Sequence, residues 1–191
     1  SLDRSGIVHR LDKNTSGLMV VAKNQKSQKY LVEQLQSHSI SREYSAIVYG
    51  HMISGGTISE PLGRDPKDRV KQAVLRNGRE ATTHYRVINR FKSHTHVKAI
   101  LETGRTHQIR VHLSHIGHSL VGDSIYGGKV RYPKKASEDL KNELFNFRRQ
   151  ALHSKKLTLK HPKSGELLSW KLPLPEDMIK LLNVLKEFDN I

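Results

Sequence analysis

The sequence predicts one α+β domain in which helices pack on a mixed, mostly antiparallel sheet. Three observations lead to this fold class. Several short segments alternate apolar and polar residues, as partly buried strands do. A few longer segments repeat apolar residues at helical spacing. Neighbouring strand patterns are separated by turn formers and not by helices, and no repeat or linker divides the 191 residues, so we expect a single domain over 1–191.

The first half of the chain predicts one helix among several strands. The short Val-rich run 18–22 is expected to form a buried strand. The polar segment 25–39 has apolar residues at helical spacing and predicts a surface helix. Residues 42–50 predict a strand covered at least partly on both faces. The stretch 54–68 is rich in Gly, Pro and charge, so it predicts a loop with one short strand near Thr57.

The strongest turn signal is the dipeptide Asn77-Gly78, which lies between two strand patterns at 70–75 and 79–91. Asn-Gly favours the two-residue turns of β-hairpins. We therefore expect these two strands to pair with each other. The alternating segment 94–103 predicts a further antiparallel strand.

The second half of the chain predicts three helices and a strand pair. The helix at 106–116 has an apolar stripe that leaves Arg110 to one side, and the next helix begins with Ser137 as its N-cap. The expected elements are helices over 106–116, 137–147 and 175–188 and paired strands over 152–160 and 166–172.

Charge and composition narrow the class of partner. Lys and Arg number 33 against 18 Asp and Glu, which gives a net charge of +15 spread along the chain. Such a basic excess in a folded domain indicates a polyanion, and nucleic acid is the first candidate. No apolar run reaches about 18 residues and no basic amphipathic helix has a broad apolar face, so a membrane partner is disfavoured. The absence of cysteine fits a reducing cytoplasm, and no obligatory protein partner is evident.

One acidic residue, Asp12, stands among His9, Arg10 and Lys13 in the stretch GIVHRLDKNTSGLMVVAK. The turn formers that follow place Asp12 on a loop. Loops held by rigid elements commonly carry reactive groups. On the local sequence alone, the favoured interpretation is that Asp12 forms an ion pair with Arg10 or Lys13, since most charged loop residues are solvated.

A second motif, GRTHQIRVHLSHIGHSLVGDSIYGG, lies at 104–128. Together, the HRLD and TSG runs at 9–12 and 15–17 and the RTHQIRVHL run at 105–113 resemble the RluA family of pseudouridine synthases. The resemblance extends through Arg42-Glu43-Tyr44, Val121-Gly122-Asp123, Leu152-His153 and Pro173-Leu174-Pro175. It implies the pseudouridine synthase catalytic fold and an isomerase that converts uridine to pseudouridine in RNA, here large-subunit ribosomal RNA.

The resemblance also implies the catalytic residues. Asp12 is the catalytic carboxylate, acting as a nucleophile at the sugar or the base or in forming a glycal intermediate. Arg110 pairs with that carboxylate, which favours its charged form. Tyr44 stacks on the uracil, and its hydroxyl is a candidate for removing the proton at C5.

Five further residues are expected to bind the RNA substrate. Arg10 fills the space left by the flipped base, and His9 belongs to the same motif. Leu152 lines the apolar wall beneath the base. Arg105 and Gln108 either orient their loop or contact RNA.

The family's catalytic domain normally begins several tens of residues before the HRLD loop, and many members carry an S4-type RNA-binding domain. The resemblance therefore implies an N-terminally truncated catalytic domain without an S4 domain in this chain. No cofactor is implied.

Two other functions remain compatible with the residues. The first is a module that binds RNA without turning it over, for which an acid facing a polyanion has no use. The second is a metal-dependent nuclease or hydrolase. The metal ligands of such an enzyme would be the histidines of this chain, which cluster at His107, His112, His115 and His118, with a pair at His94 and His96. Their spacing matches no metal motif and there is no cysteine, so we predict no metal site.

Overall fold

The structure is a computed structural model that describes residues 3–189. The helices are α1 (Gln25–Gln36), α2 (Gln108–His115), α3 (Glu138–Asn146) and α4 (Glu176–Asp189). The strands are β1 (Ser16–Gly17), β2 (Ser41–Tyr49), β3 (Gly56–Ser59), β4 (Leu62–Arg64), β5 (Gln72–Val74), β6 (Thr82–Arg90), β7 (His94–Leu101), β8 (Leu152–Lys160) and β9 (Leu167–Lys171).

Seven of these strands form one sheet in the order β1-β8-β2-β7-β6-β3, with β9 also paired to β8. Only the short β1–β8 pair is parallel among the described strands. Strands β4 and β5 form a separate two-stranded sheet. This mixed, mostly antiparallel arrangement with packed helices confirms the predicted fold class.

Strand β2 lies at the centre of the sheet and is covered on both faces, as its sequence predicts. Ile47 packs with α3 and α4, whereas Ala46 and Val48 pack with α2. All three are fully buried. We call the side covered by α3 and α4 the closed face and the other side, which carries α2, the cleft face.

Local signals set the ends of two helices. The Asn24 side chain caps α1 by accepting a hydrogen bond from the Ser27 N–H at 2.8 Å. Ser137 caps α3 as predicted, accepting from the Leu140 N–H at 3.2 Å. Such caps satisfy backbone donors that have no partner within the helix.

The prediction of a buried strand over 18–22 is wrong. Pairing with β8 stops after Gly17, and in the described chain the run makes a single bridge, between Ile7 and Val21. Leu18 and Val20 pack into a small cluster with α1, while Met19 and Val21 are 44% and 45% exposed. An apolar run in the sequence indicates that part of the segment is buried. It does not indicate whether another strand is positioned to form hydrogen bonds with it.

The predicted hairpin around Asn77-Gly78 is also wrong. The turn forms, but β5 pairs with β4, a strand that the sequence did not reveal, and β6 pairs with β3 and β7. Leu62 lies between the two arms and exchanges backbone hydrogen bonds with Arg79 at 2.8 and 2.9 Å. A Cβ at Gly78 would lie 2.6 Å from the Leu62 carbonyl carbon. Leu62, which is 3% exposed, thus occupies the position between the two arms that the facing strand of a hairpin would take.

Candidate active site

A cleft of about 750 Å³ opens on the cleft face of the sheet, between the Asp12 loop, α1 and the loop before α2. Seven of the eight residues predicted to act line it, namely His9, Arg10, Asp12, Tyr44, Arg105, Gln108 and Leu152. The eighth, Arg110, hydrogen-bonds Asp12. Segments far apart in the sequence thus meet at one site, as the resemblance implies.

The loop that carries Asp12 is held at several points. The Asp12 carbonyl accepts a hydrogen bond from the Thr15 N–H at 3.0 Å, which closes a turn. The Gln150 amide nitrogen donates to the Lys13 carbonyl at 2.7 Å and to the Thr15 hydroxyl at 3.0 Å. These bonds limit the positions that the Asp12 carboxylate can take.

Gly17 explains why the TSG run ends in glycine. Its φ is 112°, and a Cβ there would lie 2.2 Å from the Ser154 carbonyl oxygen. Glycine is the residue that adopts such a φ without strain and permits the close approach of another backbone. The close approach lets β1 pair with β8 and so anchors the end of the Asp12 loop.

Arg110 connects two carboxylates. Its Nη1 lies 3.2 Å from Asp12 Oδ2, and its Nε and Nη2 lie 2.7 and 2.9 Å from the two oxygens of Asp123. Arg110 is 3% exposed although it lies off the apolar stripe of α2. Burial lowers its pKa, but the hydrogen bonds and charges of Asp123 and Asp12 outweigh burial and raise the pKa above its ordinary value. Arg110 therefore stays charged beside Asp12.

Sequence reasoning did not assign a role to Asp123 at this site. Oδ1 of Asp123 also accepts backbone N–H bonds from Ile125 and Tyr126, both at 3.0 Å. Burial raises the Asp123 pKa, but the bonds to Arg110 outweigh it and hold the pKa below its usual value. The Val121-Gly122-Asp123 segment was the available signal, yet only the fold shows that it faces Arg110.

Tyr44 is 5% exposed and lies on β2 opposite Ser154 of β8. Burial raises the pKa of its hydroxyl, while the nearby charge of Arg42 and a hydrogen bond with Ser154 lower it and the charge of Asp12 raises it. Tyr44 and Asp12 are therefore close enough to influence each other electrostatically. That proximity fits the two catalytic roles predicted for them.

His107 also lines the cleft, although the sequence placed it only in a histidine cluster. It precedes α2 with a φ of 56°, which is uncommon for a residue with a side chain. The Tyr126 hydroxyl accepts from the Gln72 N–H at 2.9 Å and lies 2.7 Å from His107 Nδ1. The Tyr126 hydroxyl therefore connects the His107 ring to the backbone of β5. Burial lowers the pKa of His107.

His9 stabilises the HRLD loop through a hydrogen bond to the backbone of the following run. Its Nε2 accepts a hydrogen bond from the Val20 N–H at 3.0 Å. Burial, followed by the charge of Arg42, lowers its pKa to about 4. His9 is therefore neutral near pH 7, and its bond to Val20 connects the HRLD loop to the run 18–22.

Gln108 uses all of its amide hydrogen bonds within the chain. Its Oε1 accepts from Thr103 Oγ1 at 2.7 Å and from the Arg105 N–H at 3.0 Å, and its Nε2 donates to Thr82 O and Thr83 Oγ1, both at 3.0 Å. Gln108 is 2% exposed. Of the two roles predicted for it, orienting its loop is the one that these contacts favour.

The remaining predicted residues lie on the cleft wall. Arg10 is exposed, while Leu152 is buried on β8. Arg105 donates from Nε to the Glu80 carbonyl at 2.9 Å. The roles predicted for these three residues stay predictions.

The histidines do not gather around a possible metal. Within residues 3–189, no three His, Asp or Glu side chains are grouped so that they could hold an ion. His112 instead lies 2.9 Å from Thr83 Oγ1 through Nδ1 and 2.9 Å from the Glu60 carbonyl through Nε2. No helix in the same part of the chain is long and apolar enough to cross a membrane.

The fold and the site together define a class of protein. Residues 2–115 match the family model described as RNA pseudouridylate synthase. The chain belongs to this family.

Curated relatives of the chain carry a more specific description than the family model does. The chain is 54% identical over 187 residues to the ribosomal large subunit pseudouridine synthase D of Pseudomonas aeruginosa, covering 98% of this chain and 58% of the relative. It is 54% identical over 183 residues to the protein of the same description from Escherichia coli K12, covering 96% and 56%. The chain thus spans a little over half the length of these relatives.

Two solved human structures share the fold. RNA Pseudouridylate Synthase Domain Containing 4 superposes with a TM-score of 0.74 at 28% identity, covering 94% of this chain and 75% of that one. RNA Pseudouridylate Synthase Domain Containing 1 gives a TM-score of 0.70 at 24% identity, covering 94% and 79%.

Proposed function

We propose that this chain is the catalytic part of a pseudouridine synthase that isomerises uridine in large-subunit ribosomal RNA. The observation that carries the proposal is the Asp12 carboxylate, held by Arg110 at 3.2 Å and facing the same cleft as Tyr44. The family match supports the reaction. The descriptions of the bacterial relatives support the ribosomal target.

The reaction breaks the bond between uracil N1 and ribose C1′ and forms a bond between C5 and C1′. The hydrogen on C5 leaves as a proton, and N1 gains a proton. No atoms or electrons are gained overall, so the reaction consumes no co-substrate and needs no oxidant or reductant. A group that acts at the sugar or base and a group that removes the C5 proton are sufficient.

Asp12 suits the first role. Arg110 occupies its Oδ2, and among the described residues no hydrogen bond occupies Oδ1. One oxygen is therefore available to substrate while the charged form is kept by an adjacent guanidinium. Asp123 binds Nε and Nη2 of Arg110. Because these two nitrogens are engaged, Arg110 cannot use them to form a second hydrogen bond to Asp12.

Tyr44 suits the second role. Its ring lines the cleft, where it can stack on the uracil. Burial raises the pKa of its hydroxyl, and the nearby charge of Arg42 offsets part of that rise, which supports its use as a base. Leu152 supplies apolar surface in the same cleft. The target base has to leave its stack to reach these groups, and Arg10 on the rim is the side chain proposed to take its place.

The basic surface suits the substrate. A net charge of +15 favours association with RNA and makes binding weaken as salt rises. A ribosomal RNA substrate also supports the proposal of a cytoplasmic location. The proposed reaction requires no protein partner and no metal.

The test uses large-subunit RNA transcribed with tritium at uridine C5, in the presence of chelator. Isomerisation releases that tritium to water. We expect release by the wild-type chain, loss of release in Asp12→Ala, and RNA binding within a few-fold of wild type. Asp139→Ala, an exposed change on α3, is the control and should keep full activity. Equal loss of binding and product in Asp12→Ala would argue against a chemical role for this residue.

A further inference from the structure

Arg42 is a buried cation at the cleft. It lies on β2 two residues before Tyr44, lines the cleft and is 6% exposed. Its Nε has no hydrogen-bond partner, and among the described residues no carboxylate lies within ion-pair distance. Arg110 has similar burial but binds two carboxylates. The two buried arginines at the cleft therefore differ in what neutralises them.

An unpaired charge in this position is costly. Removing an ion from water costs on the order of several kcal/mol unless a partner compensates. Burial lowers the pKa of Arg42, yet a guanidinium remains protonated in proteins. The cost is therefore present in the free protein and is offset when an anion enters the cleft.

Arg42 borders the cleft of about 750 Å³, which leaves room for such an anion. A Cβ at Gly104 would lie 2.6 Å from Arg42 Nη1, so the missing side chain is what allows the guanidinium its position. His9, whose pKa is lowered to about 4, is a neutral neighbour near pH 7. Arg79 and Arg105 line the same cleft and add positive charge.

The acids of the cleft wall do not neutralise Arg42. Asp12 pairs with Arg110 at 3.2 Å. Glu102 pairs with His84, its Oε1 lying 2.5 Å from His84 Nε2. Both carboxylates that line the cleft are thus engaged elsewhere.

We propose that Arg42, in the space left by Gly104, is the anion-binding residue of a phosphate subsite in the cleft. Its ligand is a phosphodiester group of the RNA chain next to the target uridine. A guanidinium matches the oxygens of a phosphate in geometry as well as in charge. The subsite rests on the proposed function in that it requires RNA to enter this cleft.

The test compares stability and salt dependence in Arg42→Met, with the large-subunit transcript as the RNA probe. Methionine keeps the apolar stem and removes the charge. We expect the melting temperature without RNA to stay the same or rise. We expect RNA affinity to fall and the slope of log K against log salt to shrink by about 0.7 to 0.9, the effect of one lost phosphate contact.

Three further variants sharpen the result. Arg42→Lys keeps the charge and should keep the salt slope. Gly104→Ala keeps Arg42 but displaces its guanidinium, so it should lose affinity as Arg42→Met does. Arg148→Met makes the same charge change at an exposed arginine that stacks on Phe145 outside the cleft wall, and it should behave as wild type.

Two results would overturn the subsite. One is a lower melting temperature of Arg42→Met with an unchanged salt slope, which indicates a packing role. The other is loss of affinity without a change in slope, which indicates a contact to an uncharged group such as a uracil carbonyl. Tritium release by the wild type tests the proposed function separately. If RNA binding shows the expected salt slopes but the wild type releases no tritium, the proposed function is rejected and the phosphate subsite is retained.

Discussion

Apart from His94 and His96, the buried contacts of the closed face are mainly apolar, whereas the cleft face also buries an ion-pair network. On the closed face, α3 and α4 pack fully buried apolar residues against the sheet, namely Leu140, Leu144, Met178, Leu181 and Leu185. On the cleft face, the sheet and α2 also bury charged and amide side chains, namely Arg42, Gln108, Arg110 and Asp123. Apolar burial stabilises without regard to direction, whereas buried polar groups require specific partners. We therefore expect changes on the closed face to alter stability alone and changes on the cleft face to alter chemistry.

The largest expected effect comes from Asp123→Asn, which should disturb both properties. The amide cannot replace the second charged bond to Arg110, and breaking a buried ion pair costs about 3 to 5 kcal/mol. We also expect kcat to fall at least tenfold while KM changes little, because Arg110 becomes free to pair doubly with Asp12. Chemical denaturation and the tritium assay measure the two effects.

Asp177→Asn is the matched control for burial. Asp177 also binds an arginine through both oxygens, at 2.6 and 2.8 Å to Arg149, but its side chain is 42% exposed whereas that of Asp123 is 0% exposed. Exposed pairs contribute about 0 to 1 kcal/mol, so its loss of stability should be small. Equal losses in the two variants would contradict the importance of burial.

Leu181→Ala should affect stability alone. Leu181 is fully buried on the closed face, and truncating a core leucine costs about 2 to 5 kcal/mol through lost burial and the cavity that remains. We expect a lower unfolding midpoint and an unchanged kcat for the folded fraction at low temperature. A specific fall in kcat would show that the closed face takes part in the chemistry.

Tyr44→Phe should affect chemistry more than stability. It removes the hydroxyl proposed to take the C5 proton but keeps the ring, so we expect about a hundredfold lower kcat, or roughly 2.7 kcal/mol, within the range of general base catalysis. RNA affinity should stay within a few-fold. If tritium release continues at the wild-type rate, another group removes the proton.

Acid should weaken the closed face through two buried histidines. His94 and His96 pair across the sheet with residues of that face, and burial, followed by the charges of Arg131 and Lys155 respectively, lowers each pKa to about 4. Because each group binds a proton more readily in the unfolded chain, stability is complete above pH 6.5 and falls as the pH decreases towards 4. We expect a loss of about 2 kcal/mol per histidine between pH 7 and pH 5.

Urea unfolding at several pH values measures this loss. His94→Gln should remove its share of the pH dependence. Asn142→Gln, a change at an exposed residue that does not titrate, should leave the pH dependence unaltered. A stability that is independent of pH between 7 and 5 would contradict the burial of neutral histidines.

Most helices and strands could be predicted because their signals are local. The apolar spacing of α1 and α4, the Ser137 cap of α3 and the alternation along β2 and β7 require only neighbouring residues. The strand partners of 70–75 and 18–22 could not be predicted. Pairing depends on which segment occupies the adjacent position, and next to 72–74 that segment is β4, which begins at Leu62.

The sequence by itself determined the fold class, the family motifs and the residue types that meet in the cleft, among them Asp12, Arg110 and Tyr44. The tertiary structure decided how these groups are held and charged. It placed Asp123 on Arg110 and left Arg42 without a carboxylate partner among residues 3–189. The physical reason is that burial and charge pairing depend on distances between segments that are remote in the chain, and a linear motif does not contain those distances.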